Sequence, residues 1–338
     1  MPTRRFSVTL VTDEAEGVFD ILLRRMENLK VNPKDCEALL KSDGYQRLKK
    51  REASLGSPFT DDEFMQFVLS DDLLEKAYDL LETLDHWKSA DFSKAAIRAL
   101  AYLPEQAFIT ARIYPVIKPK QNSFGFELET DPAVFLYLNP DLNAARFENT
   151  IAHELHHVGY ASIERKLQES EKWKALPDAQ RMALEWLTAF GEGLAMLAAA
   201  GGPDVHPHSA SKAQDRKRWD ADVANFNDDL PQLNRFFKAV LSGRLHGDAA
   251  MKAGFEFFGL QGPWYTVGWQ MAVLIEKYAG KEHVIESFCN PWKLPVTYNE
   301  VAQQHAREAG ISLAVWSDSL VTGLASGLPE KIISTEIR

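Results

Sequence analysis

The stretch Phe147-Glu148-Asn149-Thr150-Ile151-Ala152-His153-Glu154-Leu155-His156-His157-Val158-Gly159-Tyr160 decides how this chain is read, because H-E-x-x-H lies at its centre. Each residue of an α-helix advances ~100°, so His153 and His157 fall ~40° apart on one face, one above the other. Two imidazoles so placed can share one tetrahedral Zn²⁺ through Zn–N bonds of ~2.0–2.1 Å. Glu154 points to the side of that pair, where it can reach an attacking water instead of the metal. That is the arrangement of a zinc metallopeptidase. The flanks are helical: Asn143-Ala144-Ala145-Arg146 can start a helix, and Ile151, Leu155 and Val158 form an apolar stripe away from the ligand face. A surface helix with incidental histidines is the competing reading. It fits poorly with three His and one Glu packed into five residues of a chain that has nine His in all.

A length of 338 residues allows one large domain or two ordinary ones, with ample chain for a core. The 45% hydrophobic and 25% charged composition is that of a folded, soluble protein. A net charge of −10 argues against nucleic acid or an anionic membrane as the main partner. The basic cluster Arg47-Leu48-Lys49-Lys50-Arg51 reads as a solvated helix face. Cys36 and Cys289 are the only cysteines and neither sits in a C-x-x-C, which excludes a disulfide framework and argues against a thiolate zinc site. Phe6-Ser7-Val8-Thr9-Leu10-Val11 is too short and too polar for the apolar core of a secretory leader. No apolar run approaches the ~18 residues that span a bilayer. The cytoplasm is the expected location.

Residues 1–105 read as a helical N-terminal lobe. Val18, Ile21, Leu22 and Met26 recur at helical spacing, as do Leu69, Leu73, Leu74, Ala77 and Leu81. From Phe108 the character changes to short β-branched and aromatic runs: 108–117, 123–128 and 133–138. Pro115 suits an edge or a bulge better than a central strand. Residues 106–338 are therefore expected to form the catalytic region, with a small antiparallel sheet over 106–140 and the zinc helix over about 143–165. A helical C-terminal lobe follows over 177–338. The clearest later helix opens at Pro177-Asp178 and closes at Gly201-Gly202-Pro203. The fold class is α+β, mostly helical, with the sheet and the H-E-x-x-H helix between helical lobes.

A catalytic zinc needs a third protein ligand and an open position for water. The metzincin pattern would place His six residues after His157, where Ile163 stands, and its Gly one place after Gly159. The other common solution is a Glu on a second helix. Glu164 sits on the zinc helix itself, ~10 Å further along the axis. Glu169 and Glu171 fall in the connection. Glu192 stands between Gly191 and Gly193 in a helix that otherwise avoids glycine, where each Gly costs ~1 kcal/mol relative to Ala. Close approach of that helix to the zinc helix would justify the cost and bring Glu192 to the metal. Glu185, two turns earlier, remains a reserve ligand or a partner of one.

With these residues in place the chain resembles a family. His153-Glu154-Leu155-His156-His157, then Glu192-Gly193-Leu194-Ala195, then Tyr265-Thr266-Val267-Gly268 resemble the gluzincin-type zinc peptidases. Within them the resemblance is to a group of uncharacterised bacterial zinc-dependent peptidases. It covers roughly residues 147–280 and implies a zincin-like fold, one Zn²⁺, the ligand set His153, His157 and Glu192, and a tyrosine donor at Tyr265. The chain departs from the pattern in two places. The gap from His157 to Glu192 is longer than in thermolysin-like enzymes, and Met196 occupies the position where those enzymes carry an acid. No G-x-M-E-N aminopeptidase motif is present; Gly125-Phe126-Glu127-Leu128 is only a faint likeness.

Tyr265 follows a Gly-Pro turn and could supply the oxyanion donor, or it could be an aromatic core anchor beside Trp264 and Trp269. His206 and His208 lie in a loop after the Glu192 helix and read as loop polarity before rim ligands. His156, ~100° from His157, reads as packed or as a partner of a ligand. The expected reaction is hydrolysis of a peptide or similar amide, with Glu154 as general base. A zinc-binding module without turnover, or a metal hydrolase of a non-peptide amide, are the other readings. An edge strand at 123–128 could pair with an extended substrate, and Glu127 could hold a free amine if the enzyme is an aminopeptidase. An endopeptidase with an open cleft is the alternative.

Overall fold

The computed structural model describes residues 5–330 and 332. The chain forms two compact units. One holds the chain up to Ser93 together with Ile109–Phe147, and the other holds Lys94–Phe108 and the chain from Glu148 onward. Helices dominate, and the strands of the described residues form one four-stranded sheet, so the class is α+β.

The first unit runs β1 (Phe6–Leu10), α1 (Asp13–Met26), α2 (Pro33–Lys41), α3 (Asp43–Ser54), α4 (Asp61–Val68), α5 (Asp71–Leu74) and α6 (Ala77–Lys88). After the start of α7 (Phe92–Leu100), it resumes with β2 (Ile109–Val116), β3 (Phe124–Phe126) and β4 (Ala133–Tyr137). Val18, Ile21 and Leu22 are buried on α1 as their spacing predicts. The periodic run from Leu69 to Leu81 is not one helix. Ser70 interrupts it by capping α5 through the backbone N–H of Leu73.

The sheet is mixed, not antiparallel as expected. Its order is β1-β2-β4-β3; β1, β2 and β4 are parallel, and only β3 runs antiparallel, to β4. The reason lies in β1. Ser7 and Thr9 point to solvent between half-buried neighbours, a period-two strand that the polar look of the segment conceals. Pairing β1 with β2 makes β2 a central strand, so Pro115 lies in the middle of the sheet, opposite Leu136. It is tolerated because of register. Arg112 donates its N–H towards β4 and Ile113 accepts from Val11 on the β1 side. Residue 115 would therefore donate towards β1, beyond the last paired residues Leu10 and Ile113. No ladder bond is lost there.

The next residue of that row, Ile117, donates its N–H to the carboxylate of Glu14 on α1 at 3.1 Å. Glu14 is 1% exposed, and burial pushes its pKa up to about 8 against the pull of that bond. The folded chain thus keeps a proton that the unfolded chain releases at ordinary carboxylate pH. The stability this contributes is present at low pH and lost as pH rises from the ordinary value towards about 8. Replacing Glu14 by Gln should flatten the pH dependence of the unfolding free energy over that window. A slope unchanged in Glu14→Gln would assign it to another group.

The basic run on α3 is not a plain solvated face. Arg47 is buried and pairs with Glu127 at 2.8 Å and Asp131 at 3.1 Å, and Arg51 lies 3.7 Å over the Phe124 ring. Lys50 is the second partner of Glu127. Two cations therefore already hold Glu127, which argues against its being a hook for a substrate amine.

The second unit contains the rest of α7, most of α8 (Ala144–Glu169), and α9 (Glu171–Lys174), α10 (Asp178–Thr188), α11 (Gly191–Ala200), α12 (Ala213–Ala224) and α13 (Phe226–Leu241). These are followed by α14 (Gly247–Glu256), α15 (Pro263–Ala279), α16 (Lys281–Cys289), α17 (Leu294–Ala309) and α18 (Asp318–Ala325). Its core is aromatic: Phe190, Phe237, Trp264 and Trp316 are all fully buried and pack ring to ring. No helix among the described residues is long and apolar enough to cross a membrane. Cys36 and Cys289 are both free thiols.

Candidate metal centre

Asn143 starts α8 by accepting the backbone N–H of Arg146 at 2.9 Å. Ile151, Leu155 and Val158 are 0–2% exposed and pin one face of the helix in the core. His153, Glu154 and His157 are thereby turned to the opposite, partly open face. The three-residue step between Glu154 and His157 keeps the acid beside the imidazole pair, as helix geometry requires.

The single helix expected from residue 179 to 200 is two helices. Between α10 and α11 the bonds tighten to the i→i+3 type, with Ala189 donating to Trp186, Phe190 to Leu187, Glu192 to Ala189 and Gly193 to Phe190. Glu192 therefore lies in the first turn of α11. Glu185 stays on α10 and is exposed.

The structure brings His153, His157 and Glu192 together. The two Nε2 atoms are 3.1 Å apart, and each is 3.2 Å from Oε2 of Glu192. Among the described residues this is the group of His, Cys, Asp or Glu side chains close enough to hold a metal ion; Glu185, His206 and His208 are not in it. The triangle fits a tetrahedral zinc, whose bonds of ~2.0–2.1 Å imply ligand–ligand separations of about 3.3 Å. Two neutral-capable nitrogens and one carboxylate also match the donor set of catalytic zinc.

The electrostatics follow from the crowding. Burial raises the pKa of Glu154 despite the nearby imidazoles. Burial disfavours the charged form of His157, but Glu192, Glu154 and Glu164 outweigh it and lift its pKa to about 9. Burial would raise Glu192, yet His157 and His153 hold it well below the usual carboxylate range.

Tyr265, in the first turn of α15, reaches the cluster. Its ring lies 6.3 Å from that of His153 with the planes 11° apart, and its hydroxyl is near enough to Glu192 to feel its charge. Burial and the charge of Glu192 push its pKa far above the ordinary phenol value. It is the buried neighbour Trp264, not Tyr265, that anchors the core.

The glycine argument holds in part. A Cβ on Gly193 would lie 2.0 Å from the backbone N of Trp269 and 2.3 Å from the carbonyl carbon of Gly268, so the close approach is to α15 and not to the zinc helix. Gly268 faces the same crossing, where a Cβ would come within 2.6 Å of the Phe190 oxygen. The crossing sets Glu192 beside Tyr265. Gly191 meets nothing within 4 Å. Gly193→Ala is expected to destabilise the protein by ~3 kcal/mol or more, since only backbone can yield. Gly191→Ala should change stability by no more than ~1 kcal/mol, in the stabilising direction. Denaturant unfolding of the two variants checks this; equal effects would remove the crossing from the account.

Three further histidines, His156, His206 and His208, lie outside the metal group. His156 is fully buried; burial, then His157 and His153, pushes its pKa down to about 3, so it is a packed neutral ring. His206 pairs with Asp220 at 2.9 Å and accepts the His208 N–H at 2.9 Å, while His208 packs on Trp219.

No curated protein and no solved structure matches this chain. A family model described as "Putative zinc dependent peptidase (DUF5700)" matches residues 36–307. That span includes every residue of the cluster and well over half of the chain, and the chain therefore belongs to the family so described.

Proposed function

We propose that the protein is a gluzincin-type zinc peptidase on a zincin-like fold, with His153, His157 and Glu192 holding one zinc. The observation that carries the reading is the near-equilateral triangle of two imidazole nitrogens and a carboxylate oxygen, 3.1–3.2 Å on each side. Every residue in the scheme belongs to the second unit. Bound zinc would supply Lewis acidity to the scissile carbonyl and lower the pKa of the attacking water.

The chain's own residues do the rest. Among the described residues no donor engages the Glu154 carboxylate, and its raised pKa suits a group that takes a proton from water and hands it to the leaving amine. Burial favours the protonated form of Tyr265, so its hydroxyl can donate to the oxygen that gains charge at the tetrahedral stage. The Gly193–Gly268 crossing holds Tyr265 and Glu192 in register, which fixes ligand and donor relative to each other.

Screening the purified protein against quenched fluorogenic peptide libraries, with and without a zinc chelator, tests the reading. Chelator-sensitive cleavage supports it. Chelator-sensitive turnover of non-peptide amides alone would move the assignment to another hydrolase class, and retained zinc with no turnover would make the protein a binding module.

A further inference from the structure

The turn that leads into the tyrosine helix is aromatic and partly exposed. Phe255 is 58% exposed and Leu260 is 72% exposed. The Phe258 ring lies 5.8 Å from that of Phe255 and 6.4 Å from that of Tyr265, and Leu260 follows two residues later in the same turn. Since Tyr265 itself lies against His153, an unbroken run of rings leads from solvent to the metal cluster. The backbone below fixes this run. Gly262 donates its N–H to the Phe258 oxygen at 2.7 Å, and the indole N–H of Trp264 donates to the Gly254 oxygen at 2.9 Å. Gly259 and Gln261 take positive φ of 47° and 65° to make the turn, and a Cβ on Gly262 would meet the Phe257 oxygen at 2.8 Å. Large apolar groups held at the surface beside a reactive centre are available to a ligand.

We propose that Phe255, Phe258 and Leu260 form the subsite for a large apolar side chain, aromatic or aliphatic, on a residue flanking the scissile bond of the peptide. The inference rests on the peptidase reading of the cluster. Continuity with Tyr265 selects a substrate side chain as the occupant: anything seated on Phe258 lies one ring from the hydroxyl that serves the reacting carbonyl. The three side chains are apolar and offer no ion-pair partner of their own.

The test is a fluorogenic peptide library with one position fixed as Phe, Leu, Gly or Asp, cleavage sites being mapped by mass spectrometry. Wild-type protein should favour Phe or Leu beside the cut. In Phe258→Ala and Leu260→Ser the ratio of kcat/KM for Phe-flanked over Gly-flanked peptides should fall by about 10-fold or more, the scale on which an apolar pocket discriminates. Leu260→Ser alters an exposed side chain and so guards against a folding failure in the other variant. Dissociation constants of Phe- and Gly-containing peptides for zinc-loaded Glu154→Gln protein, with and without Leu260→Ser, should show the same loss of preference without turnover. Unchanged ratios in both variants, with cleavage still dependent on Glu154, would overturn the subsite and leave the peptidase standing. A wild-type dimer converted to monomer by Leu260→Ser, with preference unchanged, would make the patch an interface between copies and overturn it too. Absence of any Glu154-dependent cleavage would overturn both.

Discussion

Replacing Glu154 by Gln is expected to leave the zinc content of the protein unchanged and to lower kcat by ~10²–10⁴-fold, the usual contribution of a positioned general base. Gln keeps the size and the acceptor oxygen of Glu but cannot take a proton. Glu154 lies outside the triangle of converging atoms formed by His153, His157 and Glu192, so its loss should not open the metal site. The change should appear in kcat and kcat/KM together, because the proton moves only on the way to the transition state. Full activity in Glu154→Gln would remove the base from the mechanism. Loss of zinc would instead make Glu154 a ligand.

Glu192→Ala is expected to strip the metal and abolish turnover, while Glu185→Ala changes neither. Losing a hydrogen-bonding partner of a ligand already costs ~10–100-fold in metal affinity, and losing the ligand itself should exceed that. Glu192 is the only acid in the cluster, whereas Glu185 lies exposed on a different helix. Metal analysis of the two purified variants by mass spectrometry decides between the carboxylates. Zinc retained in Glu192→Ala and lost in Glu185→Ala would reverse the assignment.

What was legible in the sequence was local. The stripe Ile151, Leu155 and Val158 and the step from His153 to His157 fix each other, because a helix buried on one face must present the other. Residues 109–116, 124–126 and 133–137 also announce themselves as strands by their β-branched and aromatic content. Pairing is another matter. β1 lies about a hundred residues upstream of its partner β2, and nothing in Phe6–Leu10 names that partner, so the parallel ladders and the central place of Pro115 could not be read. Glu192 was found through its flanking glycines, but only Gly193 is under steric constraint, and what constrains it is the backbone of α15. The i→i+3 tightening that separates α10 from α11 leaves no breaker residue other than Gly191 to mark it. No sequence pattern singles out Phe255 or Phe258, and only the structure shows that Phe255 faces water.

The account stands most directly on one titration. Protein stripped by a chelator should lose its cleavage of a fluorogenic peptide, and zinc added back in measured amounts should restore it, saturating at about one zinc per chain. In Glu192→Ala the same titration should restore nothing at stoichiometric zinc. Cleavage that survives complete stripping of the wild-type protein, or that returns equally in Glu192→Ala, would contradict a zinc peptidase built on His153, His157 and Glu192.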